Sequence, residues 1–171
     1  YAAVEAATIE AEILCHLDDE VRNYKLLCAY TPACSTVTVM EPEDLAGISA
    51  TVQDGELTLN YGDISMDAGT YSKVAVSPVA VLPKLMEAAG WGYVTEKSEE
   101  SFADRTCLRV SCDLQDDTGT VYTTWFDEES LLPLSSEVVC GESVVYEVTW
   151  LRFEVTEQRG TEEALSAESG T

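Results

Sequence analysis

The sequence predicts a mainly β (α+β) domain: a strongly curved antiparallel sheet, a half-barrel of about ten strands, with one helix across its concave face. Three observations carry this. Apolar and polar residues alternate with a period of two through most of the chain. Short turn signals separate the alternating runs. A single internal window departs from that period and takes helical spacing instead. Alternating strands in such number need closure or a cover for their inner face, and one helix cannot cover a flat sheet of that width.

The first run, TIEAEILCHL, places Ile9, Ala11, Ile13, Cys15 and Leu17 on one face and Glu10, Glu12 and His16 on the other. After the acidic turn at 18–20, VRNYKLLCAY aligns Tyr24, Leu26, Cys28 and Tyr30. Pro32 and Ala33 lead into STVTVM, with Val37 and Val39 together. GISATVQ and ELTLNYG flank Asp54-Gly55, the strongest hairpin signal in the chain. Residues 62–77 are rich in Gly, Asp, Ser and Thr and show no clear element. PVAVLPKLMEAAG then reads as a helix near 78–89, with Ser77 as N-cap, Pro78 at the first position and Gly90 as the stop. Its apolar stripe is Val81, Leu82, Leu85, Met86 and Ala89. Pro83 keeps it short or kinked.

Strands resume at WGYVTEKS. TCLRVSCDL aligns Leu108, Val110, Cys112 and Leu114, and TVYTTWF aligns Val121, Thr123 and Trp125. LPLSSEVVC and SVVYEVTWLRFEV meet at Gly141-Glu142. In the last run the inward set moves from Val144, Tyr146, Val148 and Trp150 to Leu151, Phe153 and Val155, which predicts a bulge near Trp150. The 171 residues suit one domain, assigned to 1–156, with 157–171 as a frayed acidic tail.

The formal net charge is -23, from 32 acidic and 9 basic residues. Such a surface repels nucleic acid and anionic headgroups and favours neutral, apolar or basic partners. No apolar run is long enough for a transmembrane helix. No leader peptide is visible, and the abrupt start at Tyr1 suggests a chain cut downstream of a removed one. The six cysteines, Cys15, Cys28, Cys34, Cys107, Cys112 and Cys140, match no zinc spacing. They stand open between buried thiols and one or two disulfides. Cys107 and Cys112, on opposite faces of one strand, are not expected to bond to each other.

Catalytic chemistry finds few candidates. His16 is the sole histidine and alternates with the polar set. Cys107 shares a strand face with Arg105 and Arg109, which makes it the one thiol with a case for reactivity. The acidic clusters fall at turns and lack calcium-loop spacing. No catalytic residue, metal or cofactor is therefore expected.

The order of strands, helix and strands resembles the LolA/LolB-like lipoprotein-carrier fold over roughly residues 8–156. SPVAVLPKLMEAAGWGYV is similar to the helix that follows the early strands of that fold. TTWFDEESLLPLSSEVVCGESVVYEVTWLRFEV resembles its closing strands, with Trp125, Asp127, Leu132, Pro133 and Gly141 on the pattern W-x-D, L-P, Gly turn. The resemblance implies an extracytoplasmic, cell-envelope location and a cavity for acyl chains. A membrane-tethered lipoprotein, lipidated before Tyr1, fits better than a lipoprotein shuttle. The expected function is non-catalytic: binding of a lipid or lipoprotein acyl chain between sheet and helix. The expected lining is Ile13, Leu26, Val37, Val81, Leu82, Leu85, Met86, Val110, Trp125 and Val148. The alternative is an interaction or sensor domain for an envelope protein partner, with a filled core and no ligand.

Overall fold

The structure, a computed structural model, describes residues 1–17, 20–71, 77–102 and 104–156. The acidic tail expected at 157–171 lies outside the described residues. One antiparallel sheet of 11 strands runs in the order β6-β5-β4-β3-β2-β1-β11-β10-β9-β8-β7. Its first half is a meander of β1 (Ala7–Leu17), β2 (Glu20–Tyr30), β3 (Cys34–Glu41), β4 (Ser49–Gln53), β5 (Glu56–Tyr61) and β6 (Ile64–Thr70). The helix α1 (Pro78–Trp91) follows. The second meander is β7 (Tyr93–Phe102), β8 (Arg105–Asp113), β9 (Thr120–Asp127), β10 (Pro133–Cys140) and β11 (Ser143–Val155). The first and last strands pair mid-sheet, so β6 and β7 form the two open edges.

Curvature follows from what α1 touches. The helix contacts β2, β3 and β4 on one side and β8 and β9 on the other. In a flat sheet β4 and β8 would stand seven spacings apart, roughly 34 Å. A helix about 10 Å wide reaches both only if the sheet wraps around it. The half-barrel with α1 across its concave side is therefore what forms.

Burial follows the period of two. Ile9, Ala11, Ile13 and Cys15 of β1 are buried, while Leu17 beyond them is exposed. The last strand bulges where the alternation predicted. Glu10 pairs with Arg152 but Ala11 with Trp150, so Leu151 is the extra residue. Asp54 and Gly55 both take positive φ, 52° and 79°, in the tight turn between β4 and β5.

Two expectations need correction. The stretch at 62–77 is not without structure, because β6 occupies Ile64–Thr70. As an edge strand it exposes both faces, with Ile64 and Met66 in solvent, so burial imposes no contrast on its sequence. The helix also runs past Gly90 to Trp91 and stops at Gly92. Ser77 holds the N-cap position, but its hydroxyl makes no capping bond.

Candidate functional site

α1 sets its apolar stripe into the hollow of the sheet. Ile13, Leu26, Val37 and Leu82 are fully buried, and Val148, Leu85, Met86 and Val81 are at most 4% exposed. These eight residues belong to one hydrophobic cluster that fills the centre of the half-barrel. Val110 is half-buried and packs against the cluster from β8. Trp125 does not join it. Its indole donates to Glu100 Oε2 at 3.0 Å, stacks on Phe102 and lies under the Arg109 guanidinium, on the opposite face of the sheet. That bond holds the Glu100 carboxyl below its usual range.

The placement of Trp125 is a phase correction. In β9 both alternating sets carry an aromatic ring, Trp125 in one and Tyr122 with Phe126 in the other. The register decides: Trp125 pairs with Arg109, and Thr124 pairs with Val110. Tyr122, Thr124 and Phe126 therefore face inward.

The inward residues of β8 and β9 leave a cleft of about 230 Å³ beside the C-terminal end of α1. Ala88, Ala89 and Gly92 form one wall, and Leu108, Val110, Cys112, Tyr122, Thr124 and Phe126 the other. Gly92 permits this approach. A Cβ there would meet the Ala88 carbonyl oxygen at 2.5 Å and the Cys112 Cβ at 2.9 Å. Tyr1 and Leu131 border the opening. The Tyr1 ring rests 5.1 Å from Phe126 and 5.6 Å from Phe153, and its hydroxyl donates to the Leu131 carbonyl at 2.9 Å. Behind the cleft, Thr124 and Ser136 hydroxyls bond at 2.8 Å and the Trp150 indole donates to Ser136 at 2.9 Å, so these three side chains are satisfied.

A second, polar feature crosses the core. Lys84 of α1 is 3% exposed. Its Nζ lies 3.4 Å from Asp116 Oδ2 and 4.8 Å from the centre of the Tyr71 ring. Burial alone would raise the Asp116 pKa, but the Thr118 hydroxyl and amide together with Lys84 outweigh it and hold the carboxyl below its usual range. The Tyr71, Tyr122 and Tyr146 hydroxyls are buried without hydrogen-bond partners among the described residues. Desolvation raises the pKa of all three. The Cys15 thiol lies beside the Tyr146 hydroxyl, yet no bond of ordinary geometry joins them.

The candidate nucleophile and base are both placed poorly for catalysis. His16 Nε2 sits 2.8 Å from Glu147 Oε1 on the outer face, away from the cleft. Cys107 is fully buried, with its sulfur near the Phe102 and Arg105 carbonyl oxygens. None of the six cysteines is joined in a disulfide. Among the described residues, no three His, Cys, Asp or Glu side chains converge as a metal site.

Alkylation of the native protein at neutral pH should therefore follow access. Cys34 and Cys140, both half-buried, should label first. Cys28 should label last, because burial pushes its pKa up to about 12. Cys107 should lag well behind Cys34 in a peptide-resolved time course. Rapid stoichiometric labelling at Cys107 would reopen the case for a nucleophile.

No protein-family model matches the sequence, and no curated protein matches it. Solved structures do. An uncharacterized conserved protein of Thermus thermophilus superposes with a TM-score of 0.55 at 8% identity, over 92% of this chain and 82% of that one. A LolA superfamily protein of Nitrosomonas europaea gives 0.51 at 11% identity, over 91% and 88%. A DUF1329 family protein of Desulfovibrio piger gives 0.50 at 11% identity, over 90% and 86%. The chain thus has a LolA-like fold: an open, curved antiparallel sheet around a helix. Identity this low speaks to the fold alone.

Proposed function

We propose that this is a non-catalytic cell-envelope domain that binds an apolar ligand, a lipid or an acyl chain, in the cleft between α1 and β8–β9. The observation that carries the reading is the cleft itself. Its walls are mostly apolar, and the Thr124 hydroxyl among them is already hydrogen-bonded to Ser136. The LolA-like fold supports both the ligand class and the extracytoplasmic setting. Tethering through a lipid upstream of Tyr1 belongs to the same proposal. No helix among the described residues is long and apolar enough to cross a membrane.

Size narrows the ligand. The cleft, about 230 Å³, exceeds the roughly 150 Å³ cavity that admits benzene but lies below the roughly 300 Å³ where drug-sized sites begin. It suits one end of an acyl chain. The Tyr1 ring, held by two aromatic contacts and one hydrogen bond, could swing aside to admit more. Of the residues expected to line the site, Val110 touches this cleft directly. The eight packed ones belong to the buried cluster and do not line it.

The test uses an uncharged probe, N-phenyl-1-naphthylamine, because the net charge would repel anionic dyes. The folded protein should bind it saturably. Val110→Asp should weaken binding by at least about tenfold, since a carboxylate would have to be desolvated in the cleft. Val21→Asp, on an exposed position of β2, should leave binding unchanged. Equal binding by a folded Val110→Asp protein would sink the site.

A second reading has its own support. With eight expected lining residues at most 4% exposed, the middle of the half-barrel is filled. An interaction or sensor domain for an envelope protein needs no more than that. If native mass spectrometry shows only the bare chain, and neither the probe nor extracted lipid binds, this second reading stands in place of the first.

A further inference from the structure

The other flank of α1 carries a cleft of different chemistry. It measures about 250 Å³ and lies between the helix and two hairpin turns, Thr31–Ser35 and Gln53–Gly55. From the helix come Pro83, Glu87 and Trp91. They are spaced four apart and so share one face. From the sheet side come the rings of Tyr30 and Tyr71, and Asp54 stands at the turn.

Glu87 is the informative residue. It is half-buried, and burial raises its pKa, partly offset by the charge of Lys84. Lys84 itself is committed to Asp116 at 3.4 Å. Among the described residues the Glu87 carboxylate makes no hydrogen bond and no ion pair. A half-buried carboxylate left that way costs stability, and an incoming cation would offset the cost. Trp91, one helical turn on, exposes 68% of its surface at the edge of the same cleft. A Trp face is the best aromatic surface for an organic cation.

From this cleft we propose a second binding site, for a small organic ammonium ion, with Glu87 as counter-ion and Trp91 and Tyr30 as the aromatic walls. The class follows by elimination as well. An anion is excluded by Glu87 and Asp54. A hard metal ion would want several oxygen ligands, and no acidic cluster of that kind is present among the described residues. An uncharged apolar molecule would leave the carboxylate unpaired. The net charge of -23 also concentrates cations at the surface. The site stands apart from the β8–β9 cleft and does not depend on it.

The test is a nuclear magnetic resonance titration with choline, using 3,3-dimethylbutan-1-ol as its uncharged isostere. The protein has three tryptophans, so the indole N–H signals can be assigned by single Trp→Phe variants. Choline should move the Trp91 signal saturably and leave Trp125 and Trp150 in place. The alcohol should not. Glu87→Gln should weaken choline binding by at least about tenfold with the amide spectrum otherwise preserved. Glu128→Gln, which removes the same charge from an exposed turn, should not weaken it. Naphthylamine binding at the other cleft should be indifferent to Glu87→Gln. Equal shifts of all three indoles, binding of the alcohol as strong as that of choline, or unweakened binding by Glu87→Gln would each overturn the proposal.

Discussion

Replacing Leu85 by Asp is expected to abolish cooperative folding. Leu85 is 2% exposed and belongs to the hydrophobic cluster that α1 forms with the sheet. Truncating a buried leucine to alanine costs about 2–5 kcal/mol. A carboxylate in its place adds the desolvation of an unpartnered charge, several kcal/mol more. A domain of this kind has a total stability of about 5–15 kcal/mol, so the sum is of the order of the whole. Leu85→Met keeps volume and polarity and should cost less than about 1.5 kcal/mol. Urea unfolding followed by circular dichroism separates the two. A Leu85→Asp protein that still unfolds cooperatively, within about 2 kcal/mol of the parent, would mean that α1 is not docked into the sheet.

Lys84→Ala should be the next most damaging change, at about 3 kcal/mol. Lys84 reaches in two directions. Tyr71 follows β6 at one end of the sheet, and Asp116 lies in the turn between β8 and β9 near the other. The lysine therefore helps hold together strands that are far apart in the sheet order. Removing it leaves the Asp116 carboxylate, 13% exposed, with only Thr118 to bond. Lys84→Met combined with Asp116→Asn should recover most of the loss, because a pair of neutral side chains strands no charge. A double-mutant cycle measures the coupling directly.

The same pair predicts an acid limb. The Asp116 carboxyl sits below its usual value in the folded chain. Its contribution is therefore fully present above the unfolded-state pKa, about 3.9, and fades as pH falls through the lower folded value. Glu87 works with the opposite sign. Its pKa is raised, so its favourable contribution belongs to the protonated form and is lost as pH rises through the folded pKa. Glu87→Gln should accordingly be neutral to stabilising at pH 7, which keeps it usable as a binding probe.

Much of this architecture was legible in the chain because burial leaves a period. Strands buried on one face, such as β1 with Ile9, Ala11, Ile13 and Cys15, write that face into every second residue. The helix wrote itself at Val81, Leu82, Leu85 and Met86 for the same reason. Even the bulge at Leu151 showed, because it moves the apolar set by one position. The edge strand β6 was silent, since a strand exposed on both faces has nothing to alternate.

The sites were less legible. The residues named for the cavity, Trp125 excepted, lie in or against one buried cluster, but a sequence cannot say whether an apolar set encloses space or fills it. That depends on how closely the facing side chains interdigitate. Trp125 went to the outer face because both sets of β9 carry an aromatic ring, and only pairing with Arg109 chose between them. Tyr1 beside the apolar cleft, the reach of Lys84 from Tyr71 to Asp116, and Glu87 beside Trp91 above two hairpin turns have no periodic signature. Their partners are brought near by the curl of the sheet, across sequence separations that local patterns do not record. The sequence by itself thus determined the helix, the strands other than β6 and, β9 apart, the face that those buried on one side turn to the core. The curvature decided where space and unpaired charge remain, because both are properties of how separate faces meet.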